Sequence, residues 1–164
     1  MLSLYKRVEL VANVAIIIVA VLVGVVLVRN YLLPRTDPSS KIPVGSKVSL
    51  PGAEWDKNGK TLLLALQKDC RFCSESAPFY QRLAQTAAAK GVKLIAVFPG
   101  PEAESHEYLK RLAVPITDIR RVSLSSLNIS GTPTLILVNS KGEVAAAWTG
   151  KISSDKEAEV LAKF

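Results

Sequence analysis

Residues 10–28 (LVANVAIIIVAVLVGVVLV) are nineteen consecutive residues of which only Asn13 is polar. A helix rises about 1.5 Å per residue, so a run this long nearly crosses the hydrocarbon core of a bilayer. It has no polar face, which a helix packed at the surface of a soluble core would show. It also exceeds the roughly 7–15 apolar residues of a secretory leader, and no small-residue cleavage pattern follows it. The chain is therefore expected to divide into three parts. Residues 1–33 form a membrane anchor with a transmembrane helix at about 10–28. Residues 34–46, rich in Pro, Ser and Gly, form a linker, and residues 47–164 form one folded domain.

Charge constrains orientation and partners. The formal net charge is +7; Lys6, Arg7 and Arg29 against Glu9 place +2 of it in residues 1–34, leaving +5 for 35–164. The bases are scattered, with no run of five like charges and no aromatic–basic interleaving, so nucleic acid is not an expected partner. Lys6, Arg7 and the terminal amine outweigh Arg29 and Arg35 across the apolar run, which favours the N-terminus inside. The expected location is a bacterial inner (cytoplasmic) membrane, crossed once, with the folded domain facing the periplasm or the outside. Thiol pairs can be oxidised there. Ala20 and Gly24 form a small-xxx-small pair that can serve helix dimerisation or simply face lipid.

The only two cysteines, Cys70 and Cys73, are two residues apart. A disulfide between them closes a tiny loop and constrains little of the unfolded chain, so a structural bridge explains them poorly. A Cys-x-x-Cys pair leading into a helix is a redox signature. Residues 61–66 (TLLLAL) read as a buried strand. Asp69 is the expected N-cap of the helix that follows, which should run to Lys90, close at Gly91 and kink near Pro78. At the helix start Cys70 would feel the positive end of the dipole and unpaired N–H groups, both of which lower a thiol pKa. Arg71 pushes the same way and Asp69 opposes it. Cys70 is thus the expected nucleophile and Cys73, about one turn deeper, the resolving cysteine. A structural zinc site needs four ligands, and the chain offers two Cys and one His, so no metal is expected. That histidine, His106, is expected to be solvated on a surface helix.

Further along, 92–98 reads as a strand ended by Pro99-Gly100-Pro101. Residues 102–112 read as a helix, acidic at its start and basic at its end. A short strand is expected at 114–116 and a short helix at 122–127. A hairpin pairs 134–138 with 143–148 around Ser140-Lys141-Gly142, and a last helix runs from Ser153 or Ser154 to about 163. Ahead of the cysteines, 48–50 reads as a short strand, with turns at Pro51-Gly52 and Asn58-Gly59. The order βαβ then ββα predicts an α/β fold around a mixed central sheet with helices on both faces.

The strand 61–66, Cys70-Arg71-Phe72-Cys73, Pro78 eight residues past Cys70, and Gly131-Thr132-Pro133-Thr134 before an apolar strand together resemble the thioredoxin superfamily. With the anchor and the Val44-Gly45…Asn58-Gly59-Lys60 lead-in, residues 44–164 are similar to its TlpA/ResA-like branch of membrane-anchored thiol–disulfide oxidoreductases. The resemblance implies a thioredoxin fold, with Pro133 cis and against the cysteine pair. It implies that Thr132 offers backbone groups to a substrate polypeptide, a role the physics of strand-like pairing supports, and that Arg71 and Phe72 belong to the same binding surface. The implied activity is reduction of cysteine pairs in proteins outside the cytoplasm, for cytochrome c maturation or disulfide repair, recharged by a transmembrane electron donor. The redox-active disulfide Cys70–Cys73 would be the only redox group, since no G-x-G-x-x-G fingerprint for nucleotide or flavin is present.

Several positions depart from that family. Asp69 stands where a Trp is usual, Arg71-Phe72 lacks the common proline, and Leu64 occupies the position of the buried acid of thioredoxins. Glu75 is the nearby candidate to accept a proton from Cys73. Peroxiredoxins share the fold, but Gln67 stands where their pattern places Thr. A redoxin-type peroxidase, with Cys70 attacking peroxide, and a non-catalytic binding module remain the alternatives.

Overall fold

A computed structural model describes residues 13–24 and 42–164. The chain divides into two compact units, Met1–Arg35 and Thr36–Phe164. In the first, residues 13–24 are helical (α1), with exposed side chains over 13–23. Among the described residues no helix is long and apolar enough to cross a membrane. The expected span reaches past them at both ends, and linker residues 34–41 lie outside them.

The second unit is built on one strand. β1 (Thr61–Ala65) is buried at every position, and alternate residues serve opposite faces of the sheet. Leu62 and Leu64 enter one core; Leu63 and Ala65 enter the other. A strand covered on both sides reads as a continuous apolar run, which is why 61–66 shows no alternation. Around it the elements run α2 (Trp55–Asn58), β1, α3 (Arg71–Glu75), α4 (Ala77–Ala89), β2 (Lys93–Phe98), α5 (Glu102–Arg111) and β3 (Ile119–Arg121). A 3-10 turn (Leu124–Leu127), β4 (Thr134–Val138), β5 (Val144–Thr149) and α6 (Ser154–Ala162) complete the unit. The sheet order is β3-β2-β1-β4-β5, with β1, β2 and β3 parallel and β4 antiparallel to both β1 and β5.

Both parallel steps move in the same direction, so right-handed crossovers bring α4 and α5 to one face. That face also holds α3 and α6: Cys73, Phe79, Tyr80, Leu83, Tyr108, Leu109 and Val160 share its core. The opposite face is covered more thinly, by the lead-in with the single-turn α2 and by the 3-10 turn. Ile42, Leu50, Trp55, Leu127 and Ile129 pack there on Ile95, Val97 and Ile136. The lead-in joins the sheet beside the β4–β5 hairpin, where the Gly45 N–H donates to Val144 O at 2.8 Å and the Val48 N–H to Gly142 O at 2.9 Å.

The structure corrects several sequence expectations. The helix expected from Asp69 to Lys90 is two helices meeting at Ser76, whose backbone (φ −90°, ψ 4°) is not helical. Pro78 lacks an N–H, so it sits in the first turn of a new helix, where none is needed. Residues 114–116 are not a strand, since Pro115 has no donor for a ladder; the third parallel strand forms at Ile119–Arg121. Residues 48–50 form no strand either, and a single bridge, Lys47 to Glu143, stands in its place. The short helix expected over 122–127 is a 3-10 turn over Leu124–Leu127. Gly91 closes α4 as expected, in the left-handed region at φ +66°.

Candidate active site

β1 delivers the chain to the carboxyl end of the parallel strands, and Cys70 begins α3 there. The N-cap is Cys70 itself, not Asp69: its backbone is extended (φ −91°, ψ 109°) and its Sγ accepts the Cys73 N–H at 3.1 Å. A sulfur placed this way receives a backbone donor that favours its ionised form. Asp69 is exposed and one residue too early to cap. With Lys68, Pro99, Pro101 and Glu104 it lines a shallow cavity of about 210 Å³ beside the cysteine loop. Lys68 donates to Glu104 at 2.9 Å across that cavity, which raises the lysine's pKa.

The two cysteines form a disulfide with their Cα atoms 5.2 Å apart. Their surroundings differ sharply: Cys70 is partly exposed, whereas Cys73 is 0% exposed within the helical core. Arg71 and Phe72 between them point outward; the Phe72 residue is 54% exposed, an unusual position for a large apolar side chain. The Thr132–Pro133 peptide is cis, and the Thr132 carbonyl oxygen lies 3.3 Å from Cys70 Sγ. Pro133 is buried and its own carbonyl accepts the Gly150 N–H at 2.7 Å, tying this loop to the end of β5. Cys70, Arg71, Phe72, Cys73, Thr132 and Pro133 are therefore brought together.

Glu75 does not take the place expected of it. Its carboxylate accepts from Lys151 at 2.9 Å and from Arg71 at 2.6 Å, and these bonds hold its pKa below the usual carboxylate value. A surface carboxylate kept ionised by two cations is a poor proton acceptor for a buried thiol. Lys151 was not legible beforehand, because only the folded sheet brings residues 76 positions apart into contact. Leu64 is fully buried and packs in the helical core. His106 is exposed on α5. Among the described residues, no group of three His, Cys, Asp or Glu side chains is placed to hold a metal.

Neither a family model nor a curated protein sequence matches the chain. Solved structures do. A chain from Chlorobium tepidum, described as a candidate thiol:disulfide interchange protein DsbE, superposes with a TM-score of 0.59 at 22% identity, covering 75% of this chain and 97% of its own. StoA from Bacillus subtilis gives 0.52 at 20% identity, covering 64% and 81%. A thiol:disulfide interchange protein from Bacteroides sp. gives 0.55 at 19% identity, covering 79% and 90%. This chain has the thioredoxin fold. The mixed sheet, the cysteine pair at the head of α3 and the cis loop before β4 are its parts.

Proposed function

We propose that this chain is a thiol–disulfide oxidoreductase, tethered to a membrane, that reduces disulfides in proteins outside the cytoplasm. One observation carries the reading: a partly exposed sulfur at a helix start is bonded to a fully buried one, with the Thr132 carbonyl 3.3 Å from the exposed partner. Exchange chemistry needs that asymmetry. The reachable thiolate of Cys70 attacks a substrate disulfide, and Cys73 then attacks Cys70 Sγ and releases the reduced substrate. Thr132 offers backbone groups to an extended substrate segment, and Arg71 and Phe72 give it a surface to lie on. The neighbours named as thiol:disulfide interchange proteins support the same reading.

The proposed cycle uses no cofactor beyond the disulfide itself and draws electrons from a transmembrane donor. Its proposed substrates are proteins whose cysteines must be reduced before use, apocytochromes c among them. The proposed location is a bacterial inner membrane with the redox domain on the outer side, supported by the length and apolarity of residues 10–28 and by the charge bias around them.

The test is insulin-disulfide reduction by the full chain together with its reduction potential. Activity lost in Cys70→Ser supports exchange; wild-type activity no higher than that variant's refutes exchange and favours a binding module. A potential of about −270 mV marks a reductant, whereas one near −120 mV overturns the proposed direction.

A further inference from the structure

The cavity beside the cysteine loop has a volume of about 210 Å³ and lies between residues 67–69 and the loop and helix that follow β2. Phe98, at the end of β2, is buried and set edge-on to Tyr108, with ring centres 6.0 Å apart. Pro99 and Pro101 line the cavity too, and their rings fix φ. Ser105 Oγ donates to Pro101 O at 2.9 Å, which ties this loop to α5. The apolar part of the lining is therefore stiff and formed in advance of any ligand.

The charges on the lining do not cancel. Lys68, Asp69 and Glu104 are one cation against two carboxylates. Lys68 donates to Glu104 at 2.9 Å, whereas the Asp69 carboxylate takes part in no hydrogen bond or ion pair among the described residues and acts on Lys68 only through space. Arg111 also acts on Lys68, but it does not line the cavity; its guanidinium lies over the Tyr108 ring, 5.7 Å from the centre. The uncompensated group is thus Asp69, one residue before Cys70. The other side of the cysteine pair has the opposite balance. β2 flanks β1 on one side, β4 and β5 on the other. On the β4–β5 side stand the Thr132 carbonyl and the Arg71–Glu75–Lys151 group, two cations sharing one carboxylate.

A cavity with stiff apolar walls and one uncompensated carboxylate suits an aliphatic stem that ends in a cation. Consecutive Cα atoms are about 3.8 Å apart, so a residue one or two positions from a cysteine bonded to Cys70 can reach it. We propose that this cavity is a specificity subsite: it takes a lysine or arginine side chain of the client polypeptide, next to the reacting cysteine and on the side away from Thr132, with Asp69 as counter-ion. This rests on the exchange reading given above and names which cysteines that reaction prefers. Residues 35–164 carry +5, so the domain as a whole repels a basic segment. A preference for one must come from a local site.

The experiment gives the reduced full chain short peptides whose single cysteine is joined to a chromogenic aryl thiol. Cys70 attacks the peptide sulfur and the aryl thiolate leaves, which reads the rate. The peptides carry Lys, Gln or Glu one residue before or one residue after the cysteine. The Lys peptide should react about fivefold faster than the Gln peptide, at one of the two positions only. Asp69→Asn should bring that ratio close to one, and Asp69→Lys should make the Glu peptide the faster. Each variant is read as a ratio between peptides, so a change in the reactivity of Cys70 itself cancels. Gly100 lines the cavity, and a Cβ there would meet nothing within 4 Å. Gly100→Leu should therefore occupy the space, leave the carboxylate in place and also lower the ratio. A wild-type ratio near one, an equal preference at both positions, or a ratio unchanged by Asp69→Asn or by Gly100→Leu overturns the proposal. If no peptide releases aryl thiolate, the exchange reading fails instead. Fluorescence anisotropy of the same peptides with Ser in place of their cysteine then still reports on the cavity, through the ratio of Lys-peptide to Gln-peptide binding.

Discussion

The carbonyl oxygen of Thr132 stands 3.3 Å from Cys70 Sγ, although the two residues are 62 positions apart. The sheet register produces this meeting. β1 and β4 run antiparallel with Ala65 opposite Thr134, so the residues just past one strand and just before the other emerge at the same end. A slip of one residue would turn every side chain of β4 to the other face, so both cores hold the register in place.

In the proposed exchange cycle Cys70 is the sulfur a partner reaches first, and Cys73 the one that lets it go. Cys73→Ser should therefore accumulate covalent adducts with disulfide-containing proteins, and Cys70→Ser should form none. Non-reducing gels after incubation with oxidised insulin read both. Adducts on Cys70→Ser at the level of Cys73→Ser would reverse the assigned roles.

Phe72 is 54% exposed and contributes little to either core. Phe72→Ala should change stability by less than about 0.5 kcal/mol. Turnover of protein disulfides should fall several-fold, while reaction with a small aryl disulfide stays near wild type. Equal losses on both substrates would mean that the ring tunes the sulfurs rather than holding a polypeptide.

Asp118 accepts from Arg120 at 2.6 Å and from Lys93 at 3.0 Å, and these bonds, the Arg120 one first, depress its pKa. A carboxylate whose folded pKa is depressed stabilises the protein above its unfolded value, near 4, and loses that contribution as pH falls through the folded value. Asp118→Asn should cost about 1 kcal/mol at neutral pH. The gap to wild type should close below about pH 4, as followed by urea unfolding at several pH values. A gap that stays constant down to the acid limit would remove the ion pairs as its cause.

Gly142 occupies φ +74°, and a Cβ there would lie 2.8 Å from Cδ1 of Trp55. Gly142→Ala should destabilise the domain by about 2 kcal/mol through backbone strain and overpacking together. Cysteine exchange should be untouched, because this turn closes the hairpin at the end of β4 away from the cysteines. A loss of exchange without a loss of stability would contradict that separation.

What was legible in the sequence was local. Cys-x-x-Cys after a six-residue apolar run marks the end of a buried strand and the start of a helix, and Thr132-Pro133 before another apolar run marks the loop that meets it. What was not legible depends on which of two adjacent groups wins a competition. Asp69 and Cys70 can both cap a helix, and the backbone at Cys70 decides it. Pro78 can kink a helix or begin one, and Ser76 turning out of the helical region allowed the second. Glu75 looked free because Lys151 lies far off in sequence.

The lead-in is stitched to the β4–β5 hairpin by the Gly45 and Val48 amides, at the pole of the sheet remote from Cys70. Force or bulk applied upstream of residue 42 is thus received at the hairpin and must travel the whole length of β4 before it disturbs the sulfurs. A dye, bead or fusion attached on that side would grip the domain at the end opposite Cys70.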